Sequence, residues 1–439
     1  MPVSNYEGPS VFGYETDVLH RAAAISVHSS PLANLGSTDA GGMNVYVREL
    51  SCHIAAIGLP IDVFPRRTDP DTPDIPSPCD GVRVISINAG PTAPVSKYDL
   101  FQYMPDFASE MACFALRDGV RYEVLHAHYW LSGWVAHLLK RYWSLPFALM
   151  FHTTAHMKNA VSLTEFKEPV LREQVERKLV CMADSIIAGN PDERADLIWR
   201  QRAAPEKICT IPPGVDTELF QPMSREVARA ELGLDSGDAV VTFVGRVDPI
   251  KGIDTLIEAS ALLKDQISRK LVVQFVGGDL NAEGEPVGAL KGVVQEIADR
   301  GLAAVFRMLG SQPQNRLPLI YGASDVVCVP SRYESFGLVA VEAMACGIPV
   351  VASRAGGLIF SIDEGVSGLL AEPNDAPGFA AAMASILNDR ELASRMGLAA
   401  RDQAHRFAWP VIAESMRRVY ARLASGQRAN LCCGEEIYA

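Results

Sequence analysis

The sequence predicts an α/β protein made of two doubly wound domains in tandem. Short apolar runs of strand length alternate with amphipathic segments of helix length almost from end to end, which is typical of parallel sheets covered by helices on both faces. The alternation pauses at the IPPG segment of residues 211–214 and then starts again. Two prolines and a glycine continue neither a helix nor a central strand. We therefore predict a first domain over residues 1–216 and a second over residues 217–408.

The elements of the first half follow from buried apolar runs and from apolar residues at helical spacing. Strands are predicted at residues 22–27, 61–64, 82–87, 124–126, 147–151 and 185–188. Helices are predicted at residues 45–57, 105–117, 131–143 and 170–183. Gly58 follows the first of these helices and is suited to ending it.

The second half repeats the same alternation. Strands are predicted at residues 240–244, 271–276, 305–309, 325–329, 349–352 and 368–371. Helices are predicted at residues 252–264, 287–300, 316–323, 337–345 and 376–388. A last amphipathic helix lies within residues 409–425, and we expect it to pack back on the first domain.

The charge balance limits the partners that we expect for this protein. Its 439 residues include 40 Lys and Arg against 52 Asp and Glu, which gives a formal net charge of −12. An acidic surface repels phosphate backbones and anionic lipid, so we expect no nucleic-acid partner and no membrane attachment. A small bound anion would have to be held by a few cations placed in a cleft.

Two stretches bear on location. Residues 1–20 lack the apolar core of a signal peptide. The longest apolar stretch, residues 338–352, is interrupted by Glu342 and Pro349, so it does not resemble a membrane span. We therefore expect a soluble cytoplasmic protein.

The nine cysteines fit a reduced compartment. Cys113, Cys181, Cys328 and Cys346 each stand alone among apolar residues, as small core side chains do. The Cys432–Cys433 pair lies in a terminal stretch with no other metal-ligand type nearby, and we interpret it as tail rather than as a metal site.

Cations and glycines follow the strands at the points where such sheets bind ligands. Ligands of doubly wound sheets lie outside the carboxyl ends of the strands. Arg246 and Lys251 follow the first strand of the second domain and would suit a diphosphate, although two solvated surface charges are the alternative. Gly42 lies where the first loop enters a helix, which favours a close-lying anion; a plain turn is the alternative there.

The ESFGLVAVE segment at residues 334–342 combines two carboxylates with a glycine. Glu342 falls in an otherwise apolar helix, where a carboxylate is unfavourable unless it is paired; ribose hydroxyls could pair it, or it could lie on an exposed helix face. Glu334 precedes the helix, and a favourable interaction with the helix dipole is the simpler explanation for it. Gly337 would let a phosphate approach the free N–H groups of the helix start.

Histidines end two strands of the first domain. His126 and His128 alternate onto one side of their strand, but no third metal ligand at suitable spacing is visible. His152 ends the next strand, where a neutral imidazole could donate a hydrogen bond to a sugar or phosphate; a structural role is the alternative. Asp69 and Asp71 form a DxD-like triplet whose Pro- and Asp-rich setting favours an ordinary loop.

Together these motifs resemble one enzyme family. GGMN at residues 41–44, GRVDPIKG at 245–252 and ESFGLVAVE at 334–342 are similar to the motifs of retaining GT-B glycosyltransferases of family four. The similarity extends from about residue 22 to residue 423. It implies a GT-B fold, in which two Rossmann-like domains face each other across a cleft. The first domain would bind the acceptor and the second the nucleotide sugar.

On the donor side the resemblance implies binding by Gly42, Arg246, Lys251, Gly337, Leu338 and Glu342. Arg246 and Lys251 would neutralise the diphosphate, and Glu342 would hold the ribose hydroxyls. The residues implied to be catalytic are His152, Glu334, Arg246 and Lys251. His152 would lie beside the transferred sugar, and Glu334 would contact the donor hexose.

On the acceptor side the chain looks most like members that glycosylate an inositol phosphate. The positions that contact this acceptor match Asn44, Lys97, Tyr129, Thr153 and Arg172, and the last four would hold the phosphate. The resemblance therefore implies transfer of N-acetylglucosamine or glucose from a UDP-linked donor to a phosphorylated polyol or sugar. No cofactor and no essential metal is expected, and a homodimer is compatible with the sequence.

Two alternatives stay open at this point. Sucrose-phosphate synthases share the architecture and transfer to fructose 6-phosphate, so this chain could do the same. The other alternative is a nucleotide-sugar-binding protein without turnover. The presence of the donor-binding and catalytic residues favours an enzyme over a binding protein without turnover.

Overall fold

Two parallel sheets organise the chain. The computed structural model describes residues 19–32, 42–71, 75–161, 167–426 and 437. The first sheet contains β1 (Ala22–Ile25), β2 (Ile61–Phe64), β3 (Val82–Val84), β4 (Val124–His128), β5 (Phe147–Met150), β6 (Ser185–Ala188) and β7 (Ile208–Thr210). The second contains β8 (Ala239–Val244), β9 (Leu271–Val276), β10 (Phe306–Gly310), β11 (Val326–Val329), β12 (Val350–Ser353) and β13 (Gly368–Ala371).

Strand order confirms the prediction of two doubly wound units. The first sheet runs β3-β2-β1-β4-β5-β6-β7 and the second runs β10-β9-β8-β11-β12-β13, and the neighbouring strands pair in parallel. The order reverses between β1 and β4 in one sheet and between β8 and β11 in the other. A ligand of each sheet is therefore expected beyond the carboxyl ends of these four strands.

Helices cover both sheets. In the first half they are α1 (Gly42–Ala56), α2 (Met104–Asp118), α3 (Tyr129–Trp143), α4 (Ala155–Val161), α5 (Val170–Met182) and α6 (Pro191–Trp199). In the second half they are α7 (Arg225–Leu232), α8 (Ile253–Lys264), α9 (Ala289–Asp299), α10 (Leu317–Gly322), α11 (Leu338–Ala345), α12 (Leu358–Ser361), α13 (Ala376–Asn388) and α14 (Arg390–Ala404). The final helix is α15 (Trp409–Ala424).

The predicted elements all occur, with ends that shift by a few residues, and several short or polar elements were missed. The missed strand, β7, has three residues and directly precedes the prolines that suggested a junction. Helices α6 and α7 are short, and α6, α7 and α14 are all rich in charged residues, so none of them presents a long apolar signal. Caps that accept backbone N–H groups, such as Asn190 on α6 and Ser224 on α7, define where two of them begin.

The polypeptide passes between the two domains twice, side by side. Val215 pairs with Ala408 in a parallel bridge, and the N–H of Trp409 donates to the carbonyl of Val215 at 3.2 Å. A Cβ atom on Gly214 would lie 2.4 Å from the Trp409 ring, so only glycine fits there. Helix α15 then packs against α1 of the first domain.

The cysteines correct the prediction of isolated core thiols. Cys52 on α1 is bonded to Cys79 in the loop before β3. Cys328 and Cys346 are buried as predicted, whereas Cys113 and Cys181 are exposed, because they lie on the solvent faces of amphipathic helices α2 and α5. The Cys432–Cys433 pair is outside the described residues. Across the described part of the chain, no helix has the length and apolar character needed to cross a membrane.

Candidate active site

Two residues after neighbouring strands of the first sheet adopt unusual backbone conformations. Tyr129 follows β4 with φ of 78°, and His152 follows β5 with φ of 59°. Residues other than glycine rarely occupy this left-handed region of backbone conformation. The resulting backbone strain persists where the surrounding structure imposes it, often at functional sites. Both residues were predicted from the sequence to contact substrate, and both lie at the carboxyl edge of the sheet.

A cluster of imidazole rings lies behind His152. Nδ1 of His128 is 3.1 Å from Nε2 of His152, and the rings of His126 and His128 are 4.1 Å apart, which confirms that both point to one side of β4. Tyr420 of α15 hydrogen-bonds Nδ1 of His126 at 2.7 Å. Burial lowers the pKa of His152 to about 3. His152 is therefore neutral and is positioned by a neighbouring ring.

The most constrained cation of the first domain is Arg172, which is fully buried in α5. Its Nε lies 2.6 Å from Glu176 and its Nη1 lies 2.8 Å from Glu168. Its Nη2 donates to the carbonyl of Thr153 at 2.5 Å, and its guanidinium stacks 4.6 Å from the Tyr129 ring centre. The predicted acceptor residues Tyr129, Thr153 and Arg172 thus lie together, and Arg172 is oriented from three sides.

Two lysines complete the charge on this side of the cleft. Lys158 of α4 approaches Glu168 at 3.2 Å, and the hydroxyl of Tyr98 donates to the same carboxylate at 3.2 Å. Lys97 stands over the Tyr98 ring at 5.2 Å. Burial, together with the neighbouring charge of Lys158, lowers the pKa of Lys97 to about 8.

We call the set Lys97, Lys158, Glu168, Arg172 and Glu176 the acceptor-side cluster. Its three cations and two carboxylates leave one formal positive charge. Burial works to raise the pKa of Glu168, but Arg172 and Lys158 hold it below its ordinary value. The cluster is therefore a partly buried, net-positive site in a protein whose surface is acidic, and it suits a small anion.

Asn44 is placed beside the loop that follows β1. It is buried on α1, accepts from the Ser29 hydroxyl at 2.6 Å and donates to the carbonyl of Ser30 at 2.8 Å. Its amide is thus fixed in position at the carboxyl end of β1. Residues 33–41 of this loop lie outside the described residues.

On the facing domain, a cavity of about 590 Å³ opens beyond the ends of β8 and β9. Its lining includes Arg246, Asp248, Gly278, Leu290 and Gln312. The Arg246 side chain is 69% exposed and contacts Asp248 at 3.5 Å. This cavity has the size and position of a nucleotide site at the switch point of the sheet.

Lys251 and Glu334 are brought together beside that cavity. The Lys251 ammonium lies 3.0 and 2.7 Å from the two carboxylate oxygens of Glu334. The carbonyl of Glu334 accepts from the N–H of Gly357 at 2.8 Å, and a Cβ on Gly356 would lie 2.1 Å from the same carbonyl. The backbone around Glu334 is therefore held by the glycine pair of the next loop.

Glu342 is buried in α11, so the alternative of an exposed helix face does not hold. Its carboxylate accepts from the hydroxyl of Tyr321 at 3.0 Å. Burial raises its pKa to about 7, and hydrogen bonds from Tyr321 and Gln314 oppose the rise. A protein hydroxyl thus already pairs one oxygen of the carboxylate that sequence reasoning assigned to ribose.

Direct contacts join the two walls of the cleft. A Cβ on Gly42 would lie 3.4 Å from the Leu338 side chain, so these two predicted donor residues face each other. The side-chain amide of Asn190 donates to the carbonyl of Ser335 at 2.5 Å. Gly337, with φ of 93°, precedes α11 at this point. The predicted donor motif of the second domain therefore abuts α1 and the start of α6 in the first.

The DxD-like triplet has the features of an ordinary loop. Asp69 accepts from the N–H of Asp71 at 2.9 Å in an exposed turn, apart from the cation sites. Among the residues that the structure describes, no group of three or more His, Cys, Asp and Glu is arranged to hold a metal ion.

Sequence reasoning missed three of the five members of the acceptor-side cluster. Lys158, Glu168 and Glu176 were not predicted, and neither was Tyr98. Part of the signal was present, because Arg172 and Glu176 are spaced by four residues within α5 and so lie on one helix face, and Glu168 precedes Arg172 by the same interval, just before the helix begins. Lys158 carried no such signal, since it reaches Glu168 from a separate helix, α4.

Comparison with known proteins agrees with this architecture. The profile "Glycosyl transferase 4-like domain" matches residues 41–214, and "Glycosyl transferases group 1" matches residues 224–403. The D-inositol 3-phosphate glycosyltransferase of Nocardia farcinica is 38% identical over 409 residues, which are 92% of this chain and 89% of that protein.

Solved structures give the same result. Sucrose-phosphate synthase from Thermosynechococcus elongatus superposes with a TM-score of 0.83 at 35% identity, over 93% of this chain and all of that one. Anabaena HepE in complex with UDP shares the fold, with a TM-score of 0.70 at 20% identity over 91% of this chain and 99% of that one. The fold and the paired cation sites thus define a GT-B glycosyltransferase, an enzyme of hexosyl transfer. The chain belongs to the family-four glycosyltransferases.

Proposed function

We propose that this enzyme transfers a hexose, with retention of configuration, from a UDP-sugar to a phosphorylated polyol, with inositol phosphate as the acceptor. The observation that carries the proposal is the acceptor-side cluster, which gathers three cations at the wall of the first domain. The similarity of the whole chain to D-inositol 3-phosphate glycosyltransferases supports the identity of the acceptor. A neutral polyol would not require such a set of charges.

The residues then act as follows. Arg246 and Lys251 stabilise the nucleoside diphosphate as it departs, because fixed positive charge is most effective where negative charge develops. The acceptor phosphate binds the acceptor-side cluster, and this anchor holds the acceptor hydroxyl against the anomeric carbon. Neutral His152, fixed by His128, donates or accepts a hydrogen bond at the transferred sugar. No metal takes part in this scheme.

The donor side is consistent with a nucleotide sugar. The cavity beyond β8 and β9 offers apolar walls for a base, and Glu342 lies in the helix beside it. UDP is the nucleotide bound by HepE, which has the same fold, and this supports a UDP-sugar as the donor. N-acetylglucosamine and glucose are the hexoses to be tested.

A second candidate is transfer to fructose 6-phosphate. It is favoured by the likeness to a sucrose-phosphate synthase over nearly the whole chain. That acceptor is also a phosphorylated polyhydroxy compound, so the acceptor-side cluster would serve it equally.

A substrate panel separates these functions. UDP-, GDP- and ADP-sugars are combined with D-inositol 3-phosphate, free inositol and fructose 6-phosphate, and nucleotide release is measured with and without EDTA. We expect release from a UDP-sugar with inositol phosphate, unaffected by EDTA, and little release with free inositol. Preference for fructose 6-phosphate would establish the second candidate, and equal rates with free inositol would contradict a phosphate anchor.

A further inference from the structure

The carboxylate of Glu168 stands at the centre of the acceptor-side cluster. It is held by the Tyr98 hydroxyl at 3.2 Å, by Lys158 at 3.2 Å and by Arg172 at 2.8 Å. It also lies close enough to Lys97 for its charge to act on that ammonium. Its side chain is 4% exposed. A carboxylate with these neighbours has the environment of a bound anion.

Glu176, the other carboxylate on Arg172, is held differently. One of its oxygens contacts Nε of Arg172 at 2.6 Å, and the other accepts from the backbone N–H of Ala155 at 2.8 Å. This backbone hydrogen bond fixes Glu176 at the start of α4. Glu176 therefore holds Arg172 in its orientation as a permanent part of the structure. The contacts of the Glu168 carboxylate come from side chains, which can be exchanged for another anion without disturbing the backbone.

These contacts lead to an inference that rests on the proposed function. We propose that the carboxylate of Glu168 occupies the position of the acceptor phosphate before the acceptor binds and is displaced by it. Glu168 is then an internal competitor for Lys97, Lys158 and Nη1 of Arg172. Arg172 keeps its orientation during the exchange because Glu176 and the Thr153 carbonyl continue to hold it.

The competitor determines which acceptors can bind. To displace Glu168, a ligand must interact with the three cations more favourably than the Glu168 carboxylate does. A monoanion exchanges one negative charge for another and gains little, and a neutral polyol gains nothing. A phosphate monoester carries close to two negative charges near neutral pH and three oxygens, so it can displace the carboxylate. Glu168 is therefore a specificity-determining residue that keeps weakly charged ligands out of the site.

Direct binding of inorganic phosphate to the full-length enzyme tests this role. Titration calorimetry is done in phosphate-free buffer on the unaltered protein, Glu168→Gln and Glu168→Ala. We expect both variants to bind phosphate about tenfold more tightly, because they remove a unit charge a few ångströms from the bound dianion. In thermal unfolding, phosphate should raise the Tm of the variants more than that of the unaltered protein.

Glu173→Gln is the matched control. Glu173 lies in the first turn of α5, just beyond Glu168, and carries the same charge, but it accepts from Asn159 and pairs with Arg177 instead of Arg172. This control should leave phosphate affinity unchanged. Unchanged or weaker phosphate binding in both Glu168 variants would overturn the proposal and would make Glu168 a structural partner of Arg172 instead.

Kinetics give a second, separable test. In Glu168→Gln the KM for the phosphorylated acceptor should fall by a similar factor while the donor KM stays the same. The calorimetry needs neither donor nor turnover, so its outcome judges the role of Glu168 even if no transfer to inositol phosphate is found. Tighter phosphate binding in the variants, without any transfer to inositol phosphate, would contradict the proposed function but would support the role of Glu168 as a competitor.

Discussion

The two proposed anion sites of this enzyme are built in opposite ways. On the acceptor side, Arg172 is fully buried and contacts Glu168, Glu176 and the backbone at 2.5 to 2.8 Å. On the donor side, Arg246 is 69% exposed and has a longer contact of 3.5 Å with Asp248. The first site is organised before any ligand arrives, whereas the second must order its main cation on binding, at an entropic cost.

At the acceptor-side cluster, ligand binding and folding stability depend on the same cations, whereas at Arg246 the two are separate. Removing a cation from the acceptor-side cluster leaves buried carboxylates behind, so binding and folding should suffer together. Removing Arg246 changes a solvated side chain, so binding alone should suffer. Three experiments test this difference.

The largest effect is expected from Arg172→Ala. It leaves Glu176 buried without its cation and Glu168 with Lys158 alone, and breaking a buried ion pair typically lowers the free energy of unfolding by about 3–5 kcal/mol. The acceptor KM should rise far more than the donor KM. Denaturant unfolding and steady-state kinetics measure the two effects.

Arg172→Lys serves as the partner variant when the alanine variant is too unstable. It keeps the charge but loses the planar fork that contacts three groups, so it should show the same pattern in weaker form. Equal rises in both KM values would contradict the assignment of Arg172 to the acceptor.

A smaller, purely functional effect is expected from Arg246→Ala. Hydrogen bonds to charged groups contribute about 1.5–3 kcal/mol, so donor kcat/KM should fall roughly ten- to a hundredfold. The free energy of unfolding should stay within about 0.5 kcal/mol of the original, as for most surface substitutions.

Arg395→Ala is a suitable control for Arg246→Ala. Arg395 is 64% exposed and pairs with Glu391 at 3.2 Å on α14, outside both sites. It should affect neither kinetics nor stability. A large loss of stability in Arg246→Ala, with donor kinetics unchanged, would contradict the prediction that Arg246 contributes to donor binding and not to stability.

The smallest effect is a pH dependence confined to the acceptor side. Burial and Lys158 lower the pKa of Lys97 to about 8, so its positive charge is present below pH 8 and is lost above it. Acceptor KM should therefore rise by up to about tenfold per pH unit above 8. The phosphate is fully ionised throughout this range.

Donor KM between pH 8 and 9.5 provides the internal control. Glu342, with a pKa of about 7, is already ionised there, and guanidinium groups stay protonated. In Lys97→Met the rise in acceptor KM should disappear, and KM should be high at every pH. A rise that persists in Lys97→Met would show that another group is responsible.

The sequence allowed the architecture to be predicted because its signals are local. Apolar runs and helical spacing located the strands, and the proline-rich break at residues 211–214 separated the two units. The donor motifs could also be read, since Arg246 with Lys251, and Glu334 with Glu342, lie within short segments after strands. Elements that are very short, such as β7, or rich in charged residues, such as α14, lacked a comparable apolar signal.

What could not be predicted depends on contacts between distant segments. Lys158 meets Glu168 from another helix, and Tyr321 reaches Glu342 only once α10 and α11 pack together. The bond between Cys52 and Cys79 likewise requires the docking of α1 against the loop before β3. The acceptor residues were available only from family resemblance, because spacing alone did not bring Lys97 near Arg172.

The parallel crossing at Val215 and Ala408 has a consequence for biosynthesis. Helix α15, which carries Trp409 and Tyr420, packs on α1 and reaches His126 of the first domain. The first domain is thus assembled from residues on both sides of the second domain in the sequence. On the ribosome it can reach its final packing only after the last helix has emerged, whereas residues 217–408 are complete earlier. The domain that begins the chain is therefore the last to be finished.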